Sequence, residues 1–115
     1  DQHGSPTWAR DIAAAILAIA AEGVSKPGIF HFCGGGAATW HGFARAIFAL
    51  RGLASVPALH AIPGSDYPTP APRPANSTLD CGRIAEAYGI SAPPWQQSLA
   101  RCLDEMRYAE TGRSL

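Results

Sequence analysis

Asp66-Tyr-Pro-Thr-Pro-Ala-Pro-Arg-Pro-Ala-Asn-Ser-Thr-Leu-Asp80 is the stretch whose reading decides the fold of this 115-residue chain. Pro68, Pro70, Pro72 and Pro74 fall at alternate positions. Each proline fixes its own φ and pushes the residue before it toward extended backbone. The segment is therefore a stiff strap, neither helix nor sheet. A flexible linker would be polar and featureless, whereas this strap carries Tyr67, Arg73 and Asn76. Arg73 stands between two prolines, so its backbone is held and its guanidinium can be aimed. A planar fork of donors on a rigid backbone suits a phosphate or a carboxylate. The competing reading is a purely structural strap, with Arg73 packed or paired to a neighbouring acid.

Composition bounds the rest. The chain is 47 % hydrophobic and 16 % charged, which is globular and large enough for one domain with a real core. Nine basic and nine acidic residues cancel. That argues against a nucleic-acid partner, whose binding rests on phosphate neutralisation. Lys26 is the one lysine; the other basic residues are arginines, which favour fixed bidentate contacts. Cys33, Cys81 and Cys102 are odd in number and widely spaced, with no Cys-x-x-Cys. They read as buried or half-buried free thiols of a reducing, cytoplasmic compartment. His31 and Cys33 share one face of an expected strand, but two ligands fall short of the four a structural zinc takes. No metal is expected. The alanine-rich run from Ile12 to Ala21 is too short to cross a bilayer, so no membrane partner is expected.

Working outward from the strap, the local signals are mostly helical. Thr7 reads as an N-cap and Asp11 sits in the first turn of a helix carrying Ile12, Ile16 and Ile19, stopped by Gly23. Gly28–Cys33 alternates in the manner of a strand, apolar on both faces as in a larger parallel sheet. Gly34-Gly35-Gly36 leads into a helix capped by Thr39, with Phe43, Ile47 and Leu50 on one face and an end near Gly52. Strand, glycines and helix outline a phosphate-binding turn, yet neither Gly-x-Gly-x-x-Gly nor a Walker motif is present. A simple tight turn is the stronger reading. Ala58–Ile62 reads as a short strand. Asp80 reads as the cap of a short helix through Tyr88, ended by Gly89. Pro93-Pro94 opens a last helix with Trp95, Leu99, Cys102, Leu103 and Met106 as its apolar stripe. Trp40 and Trp95 read as packing anchors. The polar tail beyond Tyr108 is expected to fray.

The run Tyr67 to Ser77, followed by Leu79 and Asp80, resembles the C-terminal signature of dTDP-4-dehydrorhamnose reductases, sugar-nucleotide enzymes of the extended short-chain dehydrogenase/reductase group. Asp1-Gln2-His3-Gly4-Ser5-Pro6-Thr7 is similar to that family's Asp-Gln-x-Gly-x-Pro-Thr. Gly28 to Phe43, with Thr39-Trp40, is similar to its strand, glycine loop and Trp-bearing helix. Pro94-Trp95 with Ser98-Leu99 is similar to its closing helix. The likeness spans nearly the whole chain but only the last third of such an enzyme, and the chain opens on Asp1 without a methionine. Residues 1–115 are thus expected to be a fragment, the C-terminal substrate-binding lobe.

The resemblance implies an α/β fold class: the mostly helical C-terminal substrate-binding part of an NAD(P)-binding Rossmann-type reductase, contributing one strand to the larger sheet. It implies a parent that reduces dTDP-4-dehydro-L-rhamnose to dTDP-L-rhamnose with NADPH or NADH. Such enzymes use a Tyr-x-x-x-Lys pair. Four residues after Tyr67, Tyr88 and Tyr108 stand Ala71, Ala92 and Gly112, so the pair is absent here, as is the dinucleotide glycine motif. No catalytic residue and no bound cofactor are expected of this segment. What it can offer is a substrate wall: Arg73 for the pyrophosphate, Asn76 for phosphate or a sugar hydroxyl, Tyr67 near the nucleotide, and Gln2 and Thr7 along the same cleft. Helix capping competes for Thr7, and turn-making for Asn76. Family members can also carry acidic residues at a metal-assisted subunit contact. Glu105 lies in that region, but Arg10 stands where a second acid would be wanted. Alternatives are an epimerase or dehydratase of the same group, or a non-catalytic module that keeps the reductase shell. Expected partners are the dTDP-sugar, the parent's own N-terminal Rossmann domain, and, through the edges of Gly28–Cys33, other copies of the chain.

Overall fold

A computed structural model describes residues 1–23 and 26–111. The elements run β1 (His3–Gly4), α1 (Ala9–Glu22), β2 (Ala38–Thr39), α2 (Trp40–Arg51), a single 3-10 turn (Gly64–Asp66), α3 (Gly82–Tyr88) and α4 (Trp95–Thr111). The fold is mostly helical with one small antiparallel sheet, in which His3 faces Thr39 and Gly4 faces Ala38.

Local chemistry explains the helix ends. The Thr39 hydroxyl accepts from the Gly42 N–H at 3.0 Å, which satisfies one of the donors a helix start leaves unpaired. Gly52 and Gly89 end α2 and α3 in the left-handed region, where a Cβ would be strained. Pro93 and Pro94 precede α4, whose first N–H, that of Trp95, donates to the Gly35 carbonyl at 2.9 Å. Asp80 accepts from the Gly82 N–H at 2.8 Å, one residue ahead of the actual cap position, Cys81. α4 continues to Thr111, past the expected fraying point; the remainder of the tail lies outside the described residues.

The core is small. Trp95, Leu99 and Leu103 are buried along α4, and Ala38, Phe43, Ala46 and Ile47 pack on them. Phe43 meets Trp95 edge-on with ring centroids 5.9 Å apart, a geometry the ring quadrupoles favour. Met106 is exposed, so the stripe expected on α4 stops at Leu103. α1 adds Ala15 and is tied to α4 by polar contacts: the buried Ser98 hydroxyl donates to Asp11, Arg10 pairs with Glu105, and Trp8 lies 5.7 Å from Arg10 and 5.2 Å from Arg101. Ile12, Ile16 and Leu17 of α1 remain exposed.

Two segments that read as strands form no ladder within the described residues of this chain. Gly28–Cys33 and Ala58–Ile62 are not strands. A strand exists only through a ladder, and among the described residues none pairs with either segment. Residues 28–33 are held by side chains instead: Arg83 donates to the Ile29 carbonyl at 3.1 Å and lies 5.0 Å over Phe30, and Phe30 packs edge-on against Tyr88 at 5.3 Å. Nor is the core of the size the length allows. The radius of gyration is 17.2 Å, against about 13 Å for a self-contained domain of this length. The accessible surface is 8299 Å², against about 6,000 Å² for a folded 12 kDa monomer.

Candidate functional site

His3 organises the site. Its backbone N–H donates to the Ala75 carbonyl at 2.8 Å, and its carbonyl accepts from the Ser77 N–H at 2.9 Å. β1 is therefore held on one side by β2 and on the other by the end of the strap, in a parallel bridge with Asn76. Three segments far apart in sequence meet there: the first seven residues, the start of α2 and the proline strap. Between them lies a cleft of about 420 Å³ lined by Gln2, His3, Ser5, Thr7, Thr39, Trp40, Phe43, Arg73 and Ser77 among others. A larger hollow of about 770 Å³, between α2 and residues 56–59, contains none of the candidate residues and has an open, shallow form.

The structure brings Gln2, Thr7 and Arg73 to this one cleft. Among the described residues, no acid or acceptor pairs with the Arg73 guanidinium, so the alternative in which Arg73 is spent on a neighbouring acid does not hold. Asn76 lies beside the cleft rather than in its lining. Its Oδ1 accepts from the Thr78 N–H at 3.0 Å and from the Thr78 hydroxyl at 2.8 Å, which is the turn-making role. Tyr67 is 72 % exposed and lies outside the lining. Gly64, at the start of the 3-10 turn just before it, is tied to Asp1 by an N–H to carboxylate bond of 2.7 Å.

Thr7 is not a helix cap. The cap position of α1 is Trp8, with no side-chain bond. The Thr7 hydroxyl instead donates to the Ser5 carbonyl at 2.8 Å and accepts from the Gly34 N–H at 3.0 Å. That second bond bears on the glycine turn. Gly34 gives its N–H to Thr7, and Gly35 gives its own to the Pro93 carbonyl at 2.9 Å. A turn that cradles phosphate needs its N–H groups aimed at the ligand. These two N–H groups are used within the chain, Gly34's on Thr7 and Gly35's on Pro93, so neither is aimed at a ligand. Tyr88 and Lys26 do meet in space, with Nζ 5.5 Å from the ring centroid. The Tyr88 hydroxyl, however, donates to the Lys26 carbonyl at 2.7 Å and Nζ donates to the Ala87 carbonyl. The pair is a structural clasp.

Of the two tryptophans expected to be packing anchors, Trp95 is buried and Trp40 is not. Trp40 is 72 % exposed, a flat aromatic face at the mouth of the cleft. The sequence signal that could have found it is its place directly after the Thr39 cap, at a helix start that faces the first motif. Among the described residues, no cluster of three or more metal-binding side chains occurs, and no helix is long and apolar enough to cross a membrane.

The match to known families runs over residues 1–108, to the RmlD substrate binding domain. The chain belongs to that family. An RmlD-type relative, the dTDP-4-dehydrorhamnose reductase of Aggregatibacter actinomycetemcomitans, is 44 % identical over 107 residues, covering 86 % of this chain and 36 % of that protein. The Spore coat polysaccharide biosynthesis protein SpsK of Bacillus subtilis is 36 % identical over 105 residues, covering 91 % of this chain and 35 % of its own. Among solved structures, a dTDP-4-dehydrorhamnose reductase of Clostridium acetobutylicum superposes with a TM-score of 0.77 at 30 % identity, over 93 % of this chain and 37 % of that one. The chain thus spans little more than a third of the length of these relatives, and its fold matches the C-terminal substrate-binding portion of the RmlD reductases.

Proposed function

We propose that this RmlD substrate-binding domain forms the sugar-nucleotide wall of a dTDP-4-dehydrorhamnose reductase, whose parent enzyme takes its hydride from NADPH or NADH and works in the cytoplasm. The observation that carries the reading is Arg73. Its guanidinium has no partner among the described residues, its backbone lies between two prolines, and it faces a cleft that Gln2 and Thr7 also line. A pyrophosphate is the part of a dTDP-sugar that a bidentate cation suits. The exposed ring of Trp40 offers an apolar surface at the same cleft. Asn76 shapes the turn that sets the strap against His3, and Tyr67 lies farther along the same strap.

In this reading the segment binds and orients substrate and transfers nothing. Its Tyr88 and Lys26 are spent on backbone carbonyls, so proton donation and the cofactor belong to the N-terminal Rossmann domain. The exposed apolar face of α1 and residues 28–33, short of ladder partners, are surfaces that domain would cover. The test is calorimetric titration of dTDP into the full-length protein and its Arg73→Ala variant. Loss of a hydrogen-bonded charge should cost about 1.5–3 kcal/mol, roughly ten- to a hundredfold in Kd, with unfolding unchanged. Arg73→Lys should recover only part of the loss, because a point charge does not reproduce the fork. Equal affinity in wild type and Arg73→Ala would remove the phosphate role.

A further inference from the structure

Cys33 and Cys81 stand apart from the substrate cleft, and their thiols meet. Their Sγ atoms are 3.5 Å apart although 48 residues separate them, and both lie 3.9 Å from the Leu79 carbonyl. They open onto a separate hollow of about 410 Å³, between the glycine turn and the end of the strap, which Ser5, Thr78 and Ser91 also line. Neither thiol is bonded in a disulfide and neither is fully buried, so in this chain both are within reach of a small reagent. A disulfide needs its sulfurs about 2 Å apart. The remaining approach, about 1.5 Å, is within the range of small side-chain rotations.

We infer that Cys33 and Cys81 are a reversible disulfide site that pins the end of the proline strap to the glycine turn. Cys81 directly follows Asp80, the strap's last residue, and Cys33 directly precedes Gly34. Closing the bond would lock these two segments together next to the Thr7–Gly34 contact. The inference stands on this geometry alone and does not depend on the substrate reading.

The oxidant is a low-molecular-weight disulfide, for which glutathione disulfide is the probe. The Cys33 thiolate attacks one of its sulfurs, that S–S bond breaks, and one glutathione thiolate leaves. Cys81 then loses its proton and attacks Cys33 Sγ; the Cys33–Cys81 bond forms and the second glutathione thiolate leaves. The two protons given up by the cysteines end on the two departing thiolates, so two protein thiols are oxidised and one disulfide is reduced to two thiols. The order follows from the surroundings. Burial first, then the hydrogen bond with Cys33, hold the Cys81 thiol above its ordinary value, and the Asp80 carboxylate acts in the same direction. Less of Cys81 than of an ordinary thiol stands as thiolate, which favours Cys33 for the first attack and Cys81 for the resolving one.

The third cysteine makes the test internal. The chain is incubated with glutathione disulfide, with and without guanidinium, quenched with iodoacetamide, and digested with trypsin without reduction; the linked peptides are read by mass spectrometry. In guanidinium, loop length decides. Cys81 and Cys102, 21 residues apart, should link about threefold more often than Cys33 and Cys81. Without denaturant the order should reverse, with Cys33–Cys81 dominant, and oxidation should raise the unfolding midpoint. Cys81→Ser should leave Cys33 as a mixed disulfide with glutathione. The same distribution with and without denaturant would overturn the inference. So would Cys33 and Cys81 that are both recovered alkylated, or a Cys33 that stays unmodified in Cys81→Ser.

Discussion

Gly34 and Pro6 touch through their backbones: a Cβ built on Gly34 would lie far inside van der Waals distance of the Pro6 carbonyl oxygen. No real Cβ tolerates that distance, and a carbonyl cannot swing aside as a side-chain tip can. The contact locks the end of the first motif to the glycine turn, next to the Thr7–Gly34 hydrogen bond. It accounts for the glycine at this position by close approach rather than by a phosphate.

Gly34→Ala should therefore destabilise the chain by more than the 1–3 kcal/mol typical of overpacking. Gly82→Ala is the matched control. There the nearest atom is the Asp80 carboxylate tip at 3.1 Å, which can move, so the change should stay within about 0.5 kcal/mol. Urea unfolding midpoints at equal slope give both numbers. Similar midpoints for the two variants would show that the Pro6 contact is soft.

The helices were legible because their signals are local. The Thr39 cap, the left-handed glycines Gly52 and Gly89, and Pro93-Pro94 each act within one turn of the chain. The strap was legible for the same reason, since proline dictates its own backbone. Residues 28–33 form no strand in this chain because alternation reports a strand's side chains and not its ladder, whose partners were expected from the larger sheet. Thr7 was misread because its hydroxyl serves Gly34, 27 residues away, and no rule of local spacing finds such a partner. Within the cleft, Arg73, Gln2 and Thr7 were legible from motif words, whereas exposed Trp40 was not, because burial is a property of the assembled fold.

Ser98 is 2 % exposed, and its hydroxyl donates to Asp11 across the α1–α4 contact. Ser98→Ala removes the donor and leaves a carboxylate oxygen beside apolar surface. The expected cost is about 1–3 kcal/mol. Asp11→Asn retains an acceptor and should cost less. Arg10→Ala, which breaks the exposed pair with Glu105 and the contact with the Trp8 ring, should cost about 1 kcal/mol or less. Denaturant titration of the three variants ranks them, and a dominant Arg10 effect would show that α1 is held by its outer ion pair.

Cys81 gives the fold a pH dependence of known sign. Its thiol is held above the ordinary value, so across the alkaline thiol range the folded chain binds more protons than the unfolded one. Its contribution is fully present below the unfolded thiol pKa, about 8.5, and is lost as pH rises through the higher folded value. Under reducing conditions the wild-type unfolding midpoint should fall more steeply with rising pH than that of Cys81→Ser. Parallel curves would show that Cys81 does not contribute. Alkylation of Cys81 at fixed pH should likewise be slower in the folded chain than in guanidinium.

The chain on its own should associate. Its surface exceeds that of a folded monomer of its mass by about 2,300 Å², more than the roughly 1,600 Å² a standard protein interface buries in total. Among the exposed apolar residues are Ile12, Ile16 and Leu17 on α1, and Ile29, 76 % exposed within residues 28–33, where no ladder engages the backbone among the described residues. Unpaired extended backbone recruits another chain more directionally than a helix face does, so residues 28–33 are expected to carry the contact. Sedimentation velocity at micromolar concentration should show dimers or larger species. Phe32→Pro, which removes a backbone donor, should shift them toward monomer, while Ile16→Lys should act less. A wild-type chain that sediments as monomer throughout would refute association, and a stronger effect of Ile16→Lys would move the contact to α1.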